Sequence, residues 1–222
     1  MRRFINDHSL TLAMTGLFVL ALVGQWLAGW SVYNEDQTLH DSATVSIVEY
    51  LTTGHFGEAV FENWESEFLQ MGIFVLLTAR LRQRGSAESK PFDDDEGHPP
   101  EVDREPDPER PGAPWPVRAG GFIGKVYAHS LSMALLALFA VSFALHVVTG
   151  AAEYSEEQTE HGAAPVSAVE YLGTSQLWFE SFQNWHSEFM SIGAIVVLAI
   201  YLREKGSSQS KPVDAPHSET GE

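Results

Sequence analysis

The chain contains no cysteine. That excludes a disulfide framework, thiol chemistry, iron–sulfur clusters and Cys-ligated zinc. Bases are scarce: 13 Lys and Arg stand against 30 Asp and Glu, a formal charge of −17. Neutralising phosphates needs a basic surface, so nucleic-acid binding is excluded. No nucleotide-binding glycine loop, nucleophile triad or HExxH zinc spacing occurs. Bases are missing altogether from residues 32–67 and 153–188, two stretches that hold 15 acids.

What is present is apolar. Four runs alternate with polar stretches: 9–31, 68–79, 128–152 and 189–202. A bilayer core ~30 Å thick needs roughly 20 helical residues. The second and fourth runs reach that length only when extended to 63–82 and 184–203, which draws Glu-bearing turns into the interface. The expectation is an all-α integral membrane protein with four spans. The first run, behind "MRRF", is too long for a signal-peptide core and ends in no convincing cleavage site, so it reads as a retained span.

The bases orient the spans. Arg2 and Arg3 precede the first, and Arg80, Arg82 and Arg84 close the second. Arg118 and Lys125 precede the third, and Arg203 and Lys205 close the fourth. By the positive-inside rule both termini and the middle segment are cytoplasmic and the loops at 32–62 and 153–183 lie outside, in a cell (plasma) membrane.

Shifted by 121 residues, the chain aligns with itself without a gap. Of the 84 pairs from His8/His129 to Pro91/Pro212, 36 are identical. "FENWESEF" (61–68) meets "FQNWHSEF" (182–189), "VSIVEYL" (45–51) meets "VSAVEYL" (166–172), and "RQRGSAESKP" (82–91) meets "REKGSSQSKP" (203–212). The expected organisation is a duplicated two-helix unit with both copies inserted the same way up. It comprises a first repeat at 1–91, an acidic, Pro-rich linker at 92–117, a second repeat at 118–205 and a cytoplasmic tail at 206–222. The linker lacks periodicity and reads as flexible. Identities crowd the outer loop and the start of the second helix of each repeat, so particular side chains are needed there.

Each outer loop reads as carrying a short amphipathic surface helix, capped by Ser42 and ended by Gly54 in the first copy and opened by Pro165 in the second. Tyr50 and Tyr171 suit the headgroup level. Asn63 and Asn184 either cap the entering span or sit within a longer helix, and Trp64 and Trp185 fit an interfacial belt. Glu67 and Glu188, one turn deeper, are either dipole-favoured helix-start residues or a paired ion or proton site. His40 and His161, with Glu35, Glu156, Glu49, Glu170, Glu67 and Glu188, are candidate oxygen and nitrogen ligands for a divalent metal. Gln25 and His146 match in the repeat and are expected to hydrogen-bond across the first helices. A bis-His haem is not supplied within a monomer, and no strong motif implies a cofactor.

The "EYL" and "NWxSEF" elements, with the Arg-flanked end of the second helix, resemble a family of small bacterial four-span membrane proteins of unknown function. The resemblance covers both halves but not the linker, and implies no activity, ligand or catalytic residue. Three functions stand in order: a non-enzymatic scaffold or accessory protein; a small cation or proton transporter, channel or ion sensor using Glu67 and Glu188; and a membrane metalloprotein. The expected partners are the lipid bilayer, a membrane-protein partner or a second copy of the chain, and cations on the outer face.

Overall fold

The computed structural model describes residues 2–92 and 101–221. The linker segment 93–100 lies outside the described residues. Among the described residues the structure is helical, without strands. In chain order the helices are α1 (Arg2–Asp7), α2 (Ser9–Leu39), α3 (Gly54–Thr78), α4 (Trp115–Ala119), α5 (Gly121–Ala128), α6 (Ser130–Glu160), α7 (Ala168–Tyr171) and α8 (Ser175–Tyr201). Single 3-10 turns occur at Glu49–Thr52 and Glu101–Asp103.

α2 and α6 each have 31 residues. At ~1.5 Å per residue each is roughly 46 Å long, more than a bilayer core requires. Both are long and apolar enough to cross a membrane. The apolar runs end at 31 and 152, but the helices continue through 32–39 and 153–160. No Gly or Pro interrupts those extra turns. Each helix stops only before a residue with positive φ, Asp41 (56°) in one and Gly162 (76°) in the other.

The expectation of four spans is only half met. Among the described residues only α2 and α6 are apolar enough to cross. α3 and α8 begin nine residues before Asn63 and Asn184, so both asparagines sit inside helices and do not cap them. The polar, acidic motif therefore occupies the first half of each helix and lowers the hydropathy of any membrane-length window.

The outer-loop helix is also shorter than expected. The first copy is one 3-10 turn and the second is α7, of four residues. Ser167 is the N-cap of α7, and in the first copy Ser46 makes the same exchange ahead of Val48, the residue that precedes the 3-10 turn; Ser42 caps neither. In each copy the serine and the glutamate three residues on satisfy one another's backbone N–H groups, at 2.8 and 3.3 Å for Ser46/Glu49 and 2.7 and 3.3 Å for Ser167/Glu170. This is a capping box. Pro165 precedes the N-cap, and Gly54 opens α3.

The chain divides into two compact units, residues 1–61 with 144–177, and 62–143 with 178–222. The first holds most of the buried apolar side chains: Tyr33, Tyr50, Val60, Val147, Ala151, Tyr171 and Leu177. Its turn segments are stapled to the helices. Asn34 exchanges hydrogen bonds with the backbone of Val45 (2.9 and 2.8 Å), and Ser155 does the same with Val166 (3.0 and 2.9 Å). Tyr50 and Tyr171, expected at the headgroup level, are instead fully buried. Tyr50 presses on Gly29 of α2 and Tyr171 on Gly150 of α6, where a Cβ would collide with the phenol.

The second unit buries Glu65, Ser66, Gln70, Ser132, Ser142 and Ser181, with Ala199 its buried apolar residue. Large apolar side chains such as Met71, Leu77, Leu138, Val141, Met190 and Leu198 are exposed. Polar inside and apolar outside is the arrangement a lipid solvent favours. Two loops in this unit share one fold. Ser89 and Ser210 each accept from the backbone six residues earlier (Gln83 and Glu204, both 2.9 Å), around Gly85 (φ 85°) and Gly206 (φ 88°).

Candidate functional site

The helical continuation beyond residues 31 and 152 builds the site, which lies wholly in the first unit. Tyr33, Asp36 and Gln37 of α2 and its C-cap His40 stand at i, i+3, i+4 and i+7, the spacing of one face. On α6, Glu153, Glu156, Glu157 and Glu160 do the same. These residues and His161 line a pocket of about 230 Å³. Its lining holds five carboxylates, two imidazoles and no Lys or Arg.

Two ties join the faces. Tyr33 Oη donates to Glu156 Oε1 at 2.6 Å and Gln37 Nε2 donates to the same oxygen at 2.7 Å. Both donors are buried and the Glu156 carboxylate is half-buried, held by two charge-assisted bonds. The Glu156 charge and burial together push the Tyr33 phenol above its usual range, burial contributing most. Glu153 lies just past the apolar run of α6. One of its carboxylate oxygens is shielded and accepts no hydrogen bond among the described residues. Burial, with Glu58 and Glu156 close by, pushes its carboxyl up to about 8. His55 is shifted the opposite way, because burial disfavours the imidazolium.

At the mouth, Asp36, His40 and Glu160 each offer a ligand atom, and these atoms lie within 4.8 Å of one another. His40 Nδ1 is 3.6 Å from Asp36 and 3.8 Å from Glu160. The two imidazoles are oriented alike. His40 Nδ1 lies 3.1 Å from the Asp36 carbonyl and His161 Nδ1 2.8 Å from the Glu157 carbonyl. It is His40 Nδ1 that faces both carboxylates, so ligating a metal together with them takes the tautomer that carries its proton on Nε2. Two carboxylates and an imidazole suit zinc, manganese and similar divalent ions.

The structure brings His40, His161 and, of their expected carboxylate partners, Glu156 to one pocket, and leaves Glu35, Glu49, Glu170, Glu67 and Glu188 outside its lining. Glu49 and Glu170 serve the capping boxes, and hydrogen bonds from their serines hold both carboxyls below the usual range. Glu67 is exposed and Glu188 half-buried in the second unit, within Coulombic reach of one another. The buried carboxylate of the repeated octapeptide is Glu65, which accepts from Ser181 Oγ (2.9 Å) and Trp185 Nε1 (3.2 Å). Asn184 Nδ2 donates to Glu62 and to the Glu180 carbonyl. Asn63 is exposed and Trp64 half-buried. His146 is fully buried and Gln25 half-buried, and no hydrogen bond joins them among the described residues.

Asp36, Glu160 and Glu153 are site residues that the sequence candidates did not include, whereas Glu156 was among them. A signal was there: Asp36–His40 and Glu157–His161 are carboxylate–imidazole pairs four residues apart, the spacing that stacks side chains on one helical face. Glu65 was hidden because its repeat partner is His186, so a search for matched residues passed over it.

No curated protein and no solved structure matches the chain. A family described as a domain of unknown function, DUF6766, matches residues 1–222, and the chain belongs to that family.

Proposed function

We propose that this protein is a multi-pass membrane protein that captures a divalent cation on its outer face, with Asp36, His40 and Glu160 as ligands, in a sensing or transport role. One observation carries this: three donor groups from two helices converge within 4.8 Å at the mouth of an acidic pocket. The base-free stretches 32–67 and 153–188 supply a field that concentrates cations there. The remaining acids of the pocket, Glu153 and Glu157, leave room for further ligation.

The membrane setting extends the two apolar helices to four spans, α3 and α8 crossing with their polar first halves held against protein. Support comes from the second unit, where the motif residues Glu65 and Asn184 find partners on the facing helix. Two parallel repeats with cytoplasmic termini follow from the charge distribution and from the shared local geometry of the two halves. The capping boxes, the backbone staples and the Gly–Tyr contacts each occur twice at a spacing of 121.

The test is cation binding by purified, metal-stripped protein, read by calorimetry and by metal analysis. One equivalent of zinc or manganese is expected in the wild type. Asp36→Asn with His40→Ala should abolish it while helicity is retained. Glu49→Gln with Glu170→Gln, which alters only the caps, should leave binding intact. Absence of stoichiometric binding by the wild type overturns the proposal. The second function, a scaffold, then takes its place, favoured by the Tyr33 and Gln37 bonds that tie α2 to α6 through Glu156.

A further inference from the structure

The two "GSxxSKP" loops of the second unit are alike up to their lysines and then diverge. Lys90 Nζ donates to both oxygens of Asp103 (2.8 and 2.7 Å) and to the Ala79 carbonyl (3.1 Å). Lys211 Nζ is buried and donates instead to three carbonyls of the tail that follows it: Pro216 (3.1 Å), His217 (3.2 Å) and Glu219 (2.8 Å). An ammonium has three protons, and here all three are directed at tail backbone. Arg203 adds bonds to the carbonyls of Pro212 (3.1 Å) and Ala215 (2.9 Å). At its far end the tail reaches the equivalent loop of the first repeat. Thr220 Oγ1 accepts from Gly85 N–H (2.8 Å) and Gly221 N–H donates to the Ser86 carbonyl (3.1 Å).

Beyond these, His217 ties the tail to the end of α8, its Nδ1 3.0 Å from the Ile200 carbonyl and its ring 5.5 Å from that of Tyr201. Val213 is its one large apolar residue and is exposed. Its docking therefore rests on hydrogen bonds to the backbone, and Lys211 makes three of them from one side chain. The docked end also bounds a cavity of about 720 Å³, walled by Phe74, Val75, Thr78, Lys90, Val102 and Gly221 among others.

We propose that residues 212–221 form a strap latched by Lys211, and that unlatching it opens this cavity on the side where Gly221 stands. The strap crosses from the loop of one repeat to the loop of the other. Ser86 and Ser89, under the strap, are buried, whereas their counterparts Ser207 and Ser210 are half-buried. That difference marks the strap as the element that breaks the likeness of the two loops.

The chain has no cysteine, so single introduced cysteines report on chosen points of the full-length protein. A spin label at Ser218→Cys should be immobilised in the otherwise native chain and mobile when Lys211→Met is added. Lys90→Met, whose contacts lie outside the strap, should leave it immobilised. Thr220→Val, a milder change, should loosen the label without touching Lys211, which guards against a folding defect in the first variant. In parallel, Thr78→Cys in the cavity wall should react faster with a thiol reagent in the Lys211→Met background. A label already mobile in the native background, or still immobilised in both strap variants, overturns the latch. A mobile label with unchanged Thr78→Cys reactivity overturns the cavity opening.

Discussion

Removing the hydroxyl of Tyr33 tests whether the tie between α2 and α6 is a central support of the first unit. Tyr33→Phe keeps the ring, its packing against Tyr50 at 5.7 Å between centroids, and its burial. It deletes only the 2.6 Å bond to Glu156. A hydrogen bond to a charged group contributes ~1.5–3 kcal/mol, and the loss reaches the upper part of that range when the acceptor stays shielded. Gln37 remains as a second donor to the same oxygen at 2.7 Å, so the carboxylate is weakened but not abandoned. For a chain of this size ~1 kcal/mol moves the unfolding midpoint by roughly 2–4 °C, and the expected fall is about 3–12 °C. Intrinsic fluorescence of the detergent-purified protein during heating measures it. Gln37→Leu should give a similar loss. The two changes together should exceed the sum of the singles, because the second then leaves the half-buried Glu156 carboxylate without either donor; coupling of ~0.5–3 kcal/mol is the usual range for shared partners. A midpoint within 1 °C of wild type for Tyr33→Phe, at the ~0.3 kcal/mol level, together with strict additivity, would refute the assignment of Glu156 as the tie.

Glu153 makes stability depend on pH. Its carboxyl is raised to about 8, so the folded state favours the protonated form more than the unfolded chain does. Stability is then full below the unfolded carboxyl range and is lost as pH rises towards about 8. Glu153→Gln should flatten the midpoint-against-pH curve across that window, and an unchanged curve would remove Glu153 as its source. Ser46→Ala and Ser167→Ala should each destabilise by ~0.5–2 kcal/mol through loss of a capping box, seen as lower unfolding midpoints. For topology, cysteines replacing the exposed Thr52 and Val169 should label from outside intact cells, and cysteines replacing the exposed Lys205 and Arg104 should not. External labelling at Lys205→Cys would overturn the four-span arrangement.

The sequence by itself determined the helical class and the two apolar helices, because long uncharged runs have no other stable form in a bilayer or a core. The internal match at a shift of 121 residues is likewise a property of the letters and needs no coordinates. The sequence also contained the capping boxes, as "SIVE" and "SAVE", although the cap was first sought at Ser42. Where the helices stop was harder, because hydropathy falls at 31 and 152 while backbone geometry continues to 39 and 160. A helix needs only helix-permissive residues to continue, whatever their polarity, and it ends where the chain turns to positive φ.

Only the tertiary structure decided which of the many acids matter. Glu49, Glu67, Glu153, Glu156 and Glu160 are equivalent as letters. Folding turns one into a cap and leaves another exposed. It shields an oxygen of a third, gives the fourth two buried donors and sets the fifth beside an imidazole. Those differences arise from which helix face meets which, and no single helix encodes its partner's register. The same holds for the two matched lysines. Lys90 and Lys211 share their loop and differ only in what the following chain brings within reach.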